Sequence, residues 1–188
     1  MAHVFDFDQT IYQGDSTVDF YFYCLRKHPK LLCCLPKQGA AAIKYLLRKV
    51  DKTQFKECFY QFLQKVDAPA LLSGFWESHF QNIKPWYMHH RQDSDIIISA
   101  SPEFLLRPAC KRLGVNRLIA SRVDSRTGVY TGANCHGEEK VRRLRETYGS
   151  VEISEFYSDS QSDLPLARLA ESAYLVKGNK ISKWKINA

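Results

Sequence analysis

Residues 3–10 read HVFDFDQT, a short apolar stretch that ends in two aspartates separated by a single residue. The pattern predicts a buried β-strand over residues 3–7. Side chains two positions apart on a strand lie on the same side, so Asp6 and Asp8 are expected to project together where the strand ends. Two adjacent carboxylates repel each other and need a cation or a shared proton. An acid at such a turn is equally typical of a helix N-cap.

The rest of the chain alternates between short apolar stretches and amphipathic ones. The other predicted strands are residues 95–99, 118–123, 153–158 and 173–176, and the stretches 102–113 and 138–148 predict helices. This alternation indicates an α/β fold with a Rossmann-like parallel sheet that helices cover on both faces. Ligands of such sheets bind at the carboxyl ends of the strands, so functional groups are expected there.

Polar side chains follow two further strands. Asp159 comes directly after the fourth strand, and the second strand ends in the sequence SASP, which begins with Ser99. If the fourth strand lies beside the first, Asp159 faces Asp6 and Asp8, and three carboxylates at one edge are costly without a metal ion. An ion that prefers oxygen ligands, such as Mg²⁺, suits this set. The SASP hydroxyls and the amides of the next helix predict an anion pocket.

Four motifs in a fixed order span nearly the whole chain. They are DFDQT at residues 6–10, Ser99, Lys140 and the pair Asp159 and Asp163. A lone lysine on a helix is typical of a solvated surface. The presence of the other three motifs makes Lys140 a candidate for a functional site. The motifs resemble those of haloacid dehalogenase-superfamily phosphatases, in the branch that includes phosphoserine phosphatase. The resemblance implies a haloacid dehalogenase-like α/β core with an inserted α-helical cap.

The resemblance also implies a role for each motif residue. Asp6 is the expected nucleophile, which forms an aspartyl-phosphate, and Asp8 is the expected general acid and base. Ser99, Ala100 and Lys140 are expected to bind the phosphoryl group of the substrate. Mg²⁺ is the expected cofactor, with Asp6, Asp8 (through its backbone carbonyl) and Asp159 as its ligands and Asp163 orienting water ligands or Lys140.

Four positions bear on how far the resemblance extends. Gln9, Ser158 and Ser160 stand where glycine is commoner in the family, which concerns the shape of the loops rather than the chemistry. Asp15 matches the position at which phosphoserine phosphatase carries a glutamate that recognises the amine of its substrate. Asp15 is therefore a candidate substrate-recognition residue, but its shorter side chain means that serine specificity is not carried over.

The excess of positive charge lies in one internal segment. Residues 16–91 contain 12 lysines and arginines against 5 acids, a net of +7, whereas the other 15 basic and 15 acidic residues cancel. This segment reads as helices at 16–28, 37–49, 54–66 and 69–80. We predict a catalytic core of residues 1–15 and 92–188 and a cap of residues 16–91, called the helical segment below. Its lysines, for example Lys37, Lys44 and Lys56, are expected to attract substrates with a second negative group.

The predicted function is magnesium-dependent hydrolysis of the phosphomonoester of a small metabolite. A phosphotransferase or phosphomutase shares the motifs. Another alternative is a phosphatase that acts on phospholipid headgroups. The aromatic and basic residues of its helical segment would bind an anionic membrane surface. Those residues are Phe20, Tyr21, Phe22, Tyr23, Leu31, Leu32, Lys27, Lys30 and Lys37. Nucleic acid also suits a basic patch, but the full catalytic set argues against that partner. No oligomeric state is indicated.

The amino-acid composition excludes several classes of protein. The chain has 188 residues, of which 45% are hydrophobic and 25% charged, and this mixture excludes a disordered or fibrous protein. The six cysteines contain no C-x-x-C pair, so neither a zinc site nor a disulfide framework is indicated. No signal-peptide pattern precedes the first strand. A cytoplasmic protein with reduced thiols is therefore expected.

Overall fold

Six strands form one sheet within residues 1–186, the part of the chain that the computed structural model describes. They are β1 (Ala2–Phe5), β2 (Ile96–Pro102), β3 (Arg117–Ser121), β4 (Ile153–Ser158), β5 (Ala170–Lys177) and β6 (Lys180–Lys183). Their order across the sheet is β3-β2-β1-β4-β5-β6, and all neighbours are parallel except β5 and β6. Because β4 lies directly beside β1, the strand ends that carry the acidic motifs meet, as predicted.

Helices cover both faces of this sheet. They are α1 (Ser16–Lys27), α2 (Leu35–Leu46), α3 (Lys52–Tyr60), α4 (Ala68–His79), α5 (Pro85–His90), α6 (Glu103–Arg112), α7 (Glu138–Tyr148) and α8 (Leu164–Ala167). Val4 of β1 belongs to an apolar cluster with α7 and α8, whereas Phe5 belongs to a cluster with α6 and the helical segment. The predicted fold class, a parallel α/β sheet covered on both faces, is confirmed.

The helical segment packs on the sheet layer through aromatic side chains. Phe20 of α1 and Phe75 of α4 meet edge to face, with ring centroids 5.2 Å apart. Trp76 of α4 donates its indole N–H to the carbonyl of Leu105 in α6 at 2.7 Å. The first contact joins α1 to α4, and the second joins α4 to α6 of the sheet layer. The division into a core and a cap at residues 16 and 91 stays a prediction.

Helix α5 packs directly against the first and fourth strands. The rings of Tyr87 and Phe5 lie 4.9 Å apart, and those of Trp86 and Tyr157 lie 5.4 Å apart. This helix ends at His90, so the last turn of the helical segment lies beside the sheet.

Several elements differ from the sequence-based expectation. Helix α5 was not predicted, and the helix predicted over residues 54–66 is α-helical only as far as Tyr60. Helix α3 begins at Lys52 rather than at residue 54, because Asp51 and Gln54 form a reciprocal capping box. The antiparallel edge strand β6 was not predicted, because all four of its residues are exposed and so lack an apolar pattern. Within residues 1–186, none of the helices has both the length and the apolar character that crossing a membrane requires.

Candidate active site

Asp6 is buried one residue beyond the end of β1. Its backbone N–H donates to the carbonyl of Tyr157 at 2.9 Å, which holds it against β4. Its Oδ1 accepts a hydrogen bond from Lys140 Nζ at 2.7 Å, and the Thr10 hydroxyl lies 3.5 Å from its Oδ2. Burial raises the pKa of the Asp6 carboxyl, and the Lys140 ammonium opposes that shift. The first acid of the motif is therefore fixed beside a cation.

Lys140 lies in the first turn of α7 with only 2% of its surface exposed. Its Nζ donates to Asp6 Oδ1 and to Asp163 Oδ2, both at 2.7 Å. Burial by itself lowers the pKa of Lys140, but the two carboxylates more than offset it and leave that pKa above its ordinary value. The Ser158 hydroxyl donates to the same oxygen of Asp163 at 2.7 Å. Lys140 is thus a buried cation between two acids and not a surface lysine.

Asp8 has different partners from Asp6. The backbone N–H of Ser16 donates to its Oδ1 at 2.7 Å, and the hydroxyl of Ser101 donates to its Oδ2. Burial, assisted by the nearby charge of Asp15, raises the pKa of Asp8 to about 6, against the lowering effect of these hydrogen bonds. A carboxyl group with a pKa close to neutrality can both give and accept a proton. The two motif aspartates are therefore suited to different tasks.

The turn after β1 contains a residue in the left-handed region. Gln9 has a φ of 58°, a value that glycine adopts more easily than other residues. Its N–H donates to the carbonyl of Gly14 at 3.0 Å. The next residue, Thr10, accepts a hydrogen bond from the backbone N–H of Asp159 at 3.0 Å. Gln9 thus adopts a conformation that glycine favours, and Thr10 joins the first motif to the last.

The end of β2 contributes three consecutive residues to the site. Ser99 is buried, and its hydroxyl oxygen accepts the N–H of Ser101 at 3.1 Å. The carbonyl of Ala100 accepts hydrogen bonds from Lys56 Nζ and from the Ser121 hydroxyl, each at 3.0 Å. Ser101 was part of the quoted motif but was not singled out, and its contact with Asp8 makes it part of the site.

These groups line one cavity of about 210 Å³. Its lining residues are Asp6, Asp8, Gln9, Asp15, Lys52, Lys56, Ser99, Ala100, Ser101, His136, Lys140, Asp159, Ser160, Ser162 and Asp163. All eight residues that the sequence singled out for the site are among them. The structure therefore brings the predicted set together, while the role of each residue stays a prediction.

Two lysines of the helical segment reach this cavity. Of the three lysines named as examples from the sequence, Lys56 lines it, whereas Lys37 and Lys44 are exposed on α2. Lys52, one turn before Lys56 on α3, was missed, although a spacing of four residues on one helix is a signal that places two side chains on the same face. Burial lowers the pKa of Lys56 to about 8, the charge of Lys52 adds to this, and Asp15 opposes it.

Asp15 and His136 lie at the starts of two helices that border the cavity. Asp15 is exposed, and its Oδ1 caps α1 by accepting the N–H groups of Thr17 and Val18, both at 3.0 Å. This capping accounts for an acid at that position, and substrate recognition by Asp15 stays a prediction. His136 precedes α7 and was not singled out from the sequence. Burial lowers its pKa.

Oxygen donors suitable for a divalent metal ion gather in the cavity. Asp6, Asp8 and Asp159 all line it. Burial raises the pKa of Asp159, and the nearby Asp163 adds to that shift. The Oδ1 of Asp163 is buried and has no hydrogen-bond partner among residues 1–186. An oxygen-only donor set with excess negative charge fits Mg²⁺.

Comparison with known proteins tests the family assignment. The family model of the haloacid dehalogenase-like hydrolases matches residues 3–168. The chain belongs to this family. The matched range includes all four motifs, from Asp6 to Asp163, so the predicted family and the prediction of a hydrolase within it are confirmed.

Three similar proteins illustrate how far the likeness extends. Protein CicA of Caulobacter vibrioides is 29% identical in an alignment of 208 positions, gaps included, which covers 96% of this chain and 86% of that protein. A histidinol-phosphatase of Neisseria meningitidis is 33% identical over 96 residues, which cover 45% of this chain and 43% of that enzyme. A probable phosphoserine phosphatase from Vibrio cholerae superposes with a TM-score of 0.65 at 16% identity, over 92% of this chain and 55% of that one. At that identity the likeness shows a shared fold.

Proposed function

We propose that this haloacid dehalogenase-like hydrolase is a magnesium-dependent phosphatase that hydrolyses a small phosphomonoester through an aspartyl-phosphate on Asp6. The observation that carries the proposal is the buried chain of contacts from Asp6 to Lys140 to Asp163, with Asp8 held separately by Ser16 and Ser101. Asp6, Lys140 and Asp8 line one cavity, which supports the proposed roles of nucleophile, cation and proton donor. Phosphoryl transfer requires these three parts.

In the first half of the reaction, a carboxylate oxygen of Asp6 attacks phosphorus in line with the ester oxygen. A bond from phosphorus to Asp6 forms while the bond to the leaving oxygen breaks. Asp8, in its protonated form, donates its proton to that leaving oxygen, and the alcohol departs. Lys140 and the hydroxyl of Ser99 balance the negative charge of the phosphoryl oxygens.

In the second half, Asp8 acts as a base. It takes a proton from a water molecule, whose oxygen attacks the phosphorus of the aspartyl-phosphate. The bond between phosphorus and Asp6 breaks, inorganic phosphate leaves, and Asp6 is again a free carboxylate. The raised pKa of Asp8, about 6, suits a group that gives a proton in one step and regains it in the next.

Asp6, Asp159 and the backbone carbonyl of Asp8 would hold Mg²⁺. The ion supplies positive charge that allows a carboxylate and a phosphate to approach each other. The role of Asp163 in this proposal is to orient Lys140, because one of its oxygens accepts hydrogen bonds from both Lys140 and Ser158. The roles of Ser99 and Ala100 are to contact the phosphoryl group at the end of β2.

The preferred substrate of the proposed phosphatase carries a second negative group, such as a carboxylate or another phosphate. The motif residues handle the phosphoryl group that all substrates share, so discrimination has to come from other residues. Lys52 and Lys56 bring positive charge from α3 to the same cavity, near Asp15.

All six cysteines are free thiols, which supports a reducing compartment such as the cytoplasm.

The test of the proposed function is phosphate release from p-nitrophenyl phosphate and from a panel of phosphate esters, with Mg²⁺ present. Asp6→Asn keeps the size of the side chain but removes its charge, so we expect turnover to fall by several orders of magnitude. Asp93→Asn, the same change in an exposed loop residue, is the matched control and keeps its activity. Activity also disappears with a chelator. Full turnover by Asp6→Asn, or transfer to an added alcohol without release of phosphate, contradicts the proposal.

A lipid headgroup is a second candidate substrate, favoured by the surface of α2 and the residue after it. Ile43, Leu46 and Leu47 have exposed fractions of 60%, 78% and 60%, and Lys44 and Arg48 lie among them. An apolar patch with basic neighbours suits an anionic membrane surface.

The residues that the sequence proposed for this membrane contact are only partly at the surface. Phe20, Tyr21 and Leu31 are buried in the core, whereas Phe22 and Leu32 are exposed. Co-sedimentation with vesicles that contain an anionic phospholipid, compared with neutral vesicles, separates the two candidates. Selective binding to the anionic vesicles favours the lipid substrate, and absence of binding favours the small metabolite.

A further inference from the structure

Three side chains with metal-binding atoms meet on the side of the sheet that α5 covers, away from the catalytic cavity. His3 of β1 and Glu155 of β4 are register partners on neighbouring strands, and His90 is the last residue of α5. One nitrogen or oxygen atom from each lies within 4.8 Å of the others. His3 precedes Asp6 by three residues of extended chain, a separation of about 10 Å. None of the three side chains takes part in the proposed catalytic steps.

The distances within this cluster are close to those of a coordination shell. His90 Nε2 lies 3.2 Å from Glu155 Oε2, and His3 Nε2 lies 3.7 Å from the same oxygen. A tetrahedral ion with bonds of about 2.0–2.2 Å keeps its ligand atoms about 3.4 Å apart. The two imidazole rings stack with centroids 5.5 Å apart and a 17° angle between their planes. The Tyr157 hydroxyl donates to Glu155 Oε2 at 2.9 Å and lies 3.3 Å from His90 Nε2, so an ion that bonds these atoms takes the place of those contacts.

A buried carboxylate supports His3 from behind. Asp95 is completely buried, and its Oδ1 lies 3.9 Å from His3 Nδ1. Neither of these two atoms has a hydrogen-bond partner among residues 1–186. Histidine ligands of metal ions commonly direct the N–H of their other ring nitrogen at a carboxylate, which fixes the tautomer that leaves Nε2 free to bind the ion. Asp95 lies on the Nδ1 side of His3, and a closer approach of about 1 Å would complete this hydrogen bond.

We propose that His3, His90 and Glu155 form a second metal site, which binds a divalent transition-metal ion of the zinc type and is separate from the catalytic one. Two imidazoles and one carboxylate are a donor set that suits zinc, whereas Mg²⁺ prefers oxygen ligands alone. The bound ion joins the end of α5 to β1 and β4. Because the folded chain alone brings the three ligands together, binding stabilises the fold.

The test uses the full chain, without a polyhistidine tag, stripped with a chelator and dialysed into excess Mg²⁺. Zinc chloride is the probe, with binding followed by calorimetry and by thermal unfolding. We expect one zinc ion per chain and a higher melting temperature. Loss of a supporting residue near a metal commonly costs about 10- to 100-fold in affinity, so loss of the direct ligand in His90→Asn should cost at least that much.

The matched control is His89→Asn, which changes the neighbouring exposed histidine and should leave zinc binding unaltered. Glu155→Gln keeps the shape of the side chain and should weaken binding as His90→Asn does. Asp159→Asn, in the catalytic cavity, should still bind one zinc ion. Equal affinity in the wild type and in both cluster variants, or loss of the zinc ion in Asp159→Asn alone, overturns the proposal, as does absence of zinc binding to the wild type.

Discussion

The strand ends of the sheet and the helical segment use charge in opposite ways. At the strand ends, Asp6, Lys140 and Asp163 are buried and paired at 2.7 Å. In the helical segment, which carries the whole net charge of +7, most lysines are exposed, and Lys56 is half-buried against the cavity. A buried pair has one fixed geometry, which a chemical step requires, whereas an exposed charge acts at longer range and is screened by salt. We therefore propose that the strand ends carry out the chemistry and that the helical segment recognises the substrate.

The largest effect is expected at the contact that joins the two regions. Gly128, in the loop after β3, has a φ of +77°, and a Cβ atom there would lie 2.3 Å from the carbonyl oxygen of Tyr60 at the end of α3. We expect Gly128→Ala to lower the free energy of unfolding by about 2–4 kcal/mol, because backbone has to move and the left-handed conformation is strained.

Gly149→Ala is the matched control for this prediction. Gly149 has a φ of +66° and a ψ of −136°, a conformation almost exclusive to glycine, but nothing lies within 4 Å of its added Cβ, so only the conformational strain of about 1–3 kcal/mol applies. Unfolding in urea measures both variants. Equal losses in the two would show that the contact between the loop and Tyr60 does not hold the helical segment in place.

The next effect concerns substrate choice. Replacing Lys52 and Lys56 by Gln removes two positive charges from the cavity, and we expect KM to rise roughly tenfold for phosphate esters that carry a second anionic group. The rise for p-nitrophenyl phosphate should be smaller. Lys37→Gln with Lys44→Gln makes the same change on the exposed surface of α2 and should leave both KM values nearly unaltered. Equal effects of the two double variants would assign recognition to the overall charge instead.

A smaller effect is expected from pH. Burial lowers the pKa of Lys56 to about 8, so this side chain is charged below that pH and loses its proton as the pH rises through it. KM for the substrates with a second anionic group should therefore rise a few-fold between about pH 7 and pH 9. In Lys56→Gln the dependence should be absent, and a profile unchanged by this substitution would contradict the assignment of Lys56.

The sequence could predict the strand ends because their signals are local. The spacing of Asp6 and Asp8 follows from the alternation of a strand, and Lys140 was identified by its order among the motifs. Lys56 contacts the carbonyl of Ala100 across 44 positions of the chain, and no local pattern encodes that contact. The cluster of His3, His90 and Glu155 depends likewise on the packing of α5 against two strands, which composition and periodicity do not reveal.

The central claim is that Asp6 becomes covalently phosphorylated. The most direct test is to locate the phosphoryl group on the protein. In Asp8→Asn the base that activates water is removed, whereas p-nitrophenolate leaves without needing a proton from Asp8. We therefore expect the aspartyl-phosphate to accumulate when p-nitrophenyl phosphate and Mg²⁺ are added. Mass spectrometry of the rapidly acidified protein should find one phosphoryl group, located on Asp6, and none in the Asp6→Asn, Asp8→Asn double variant. Label on another residue, or label that persists in the double variant, would contradict the account.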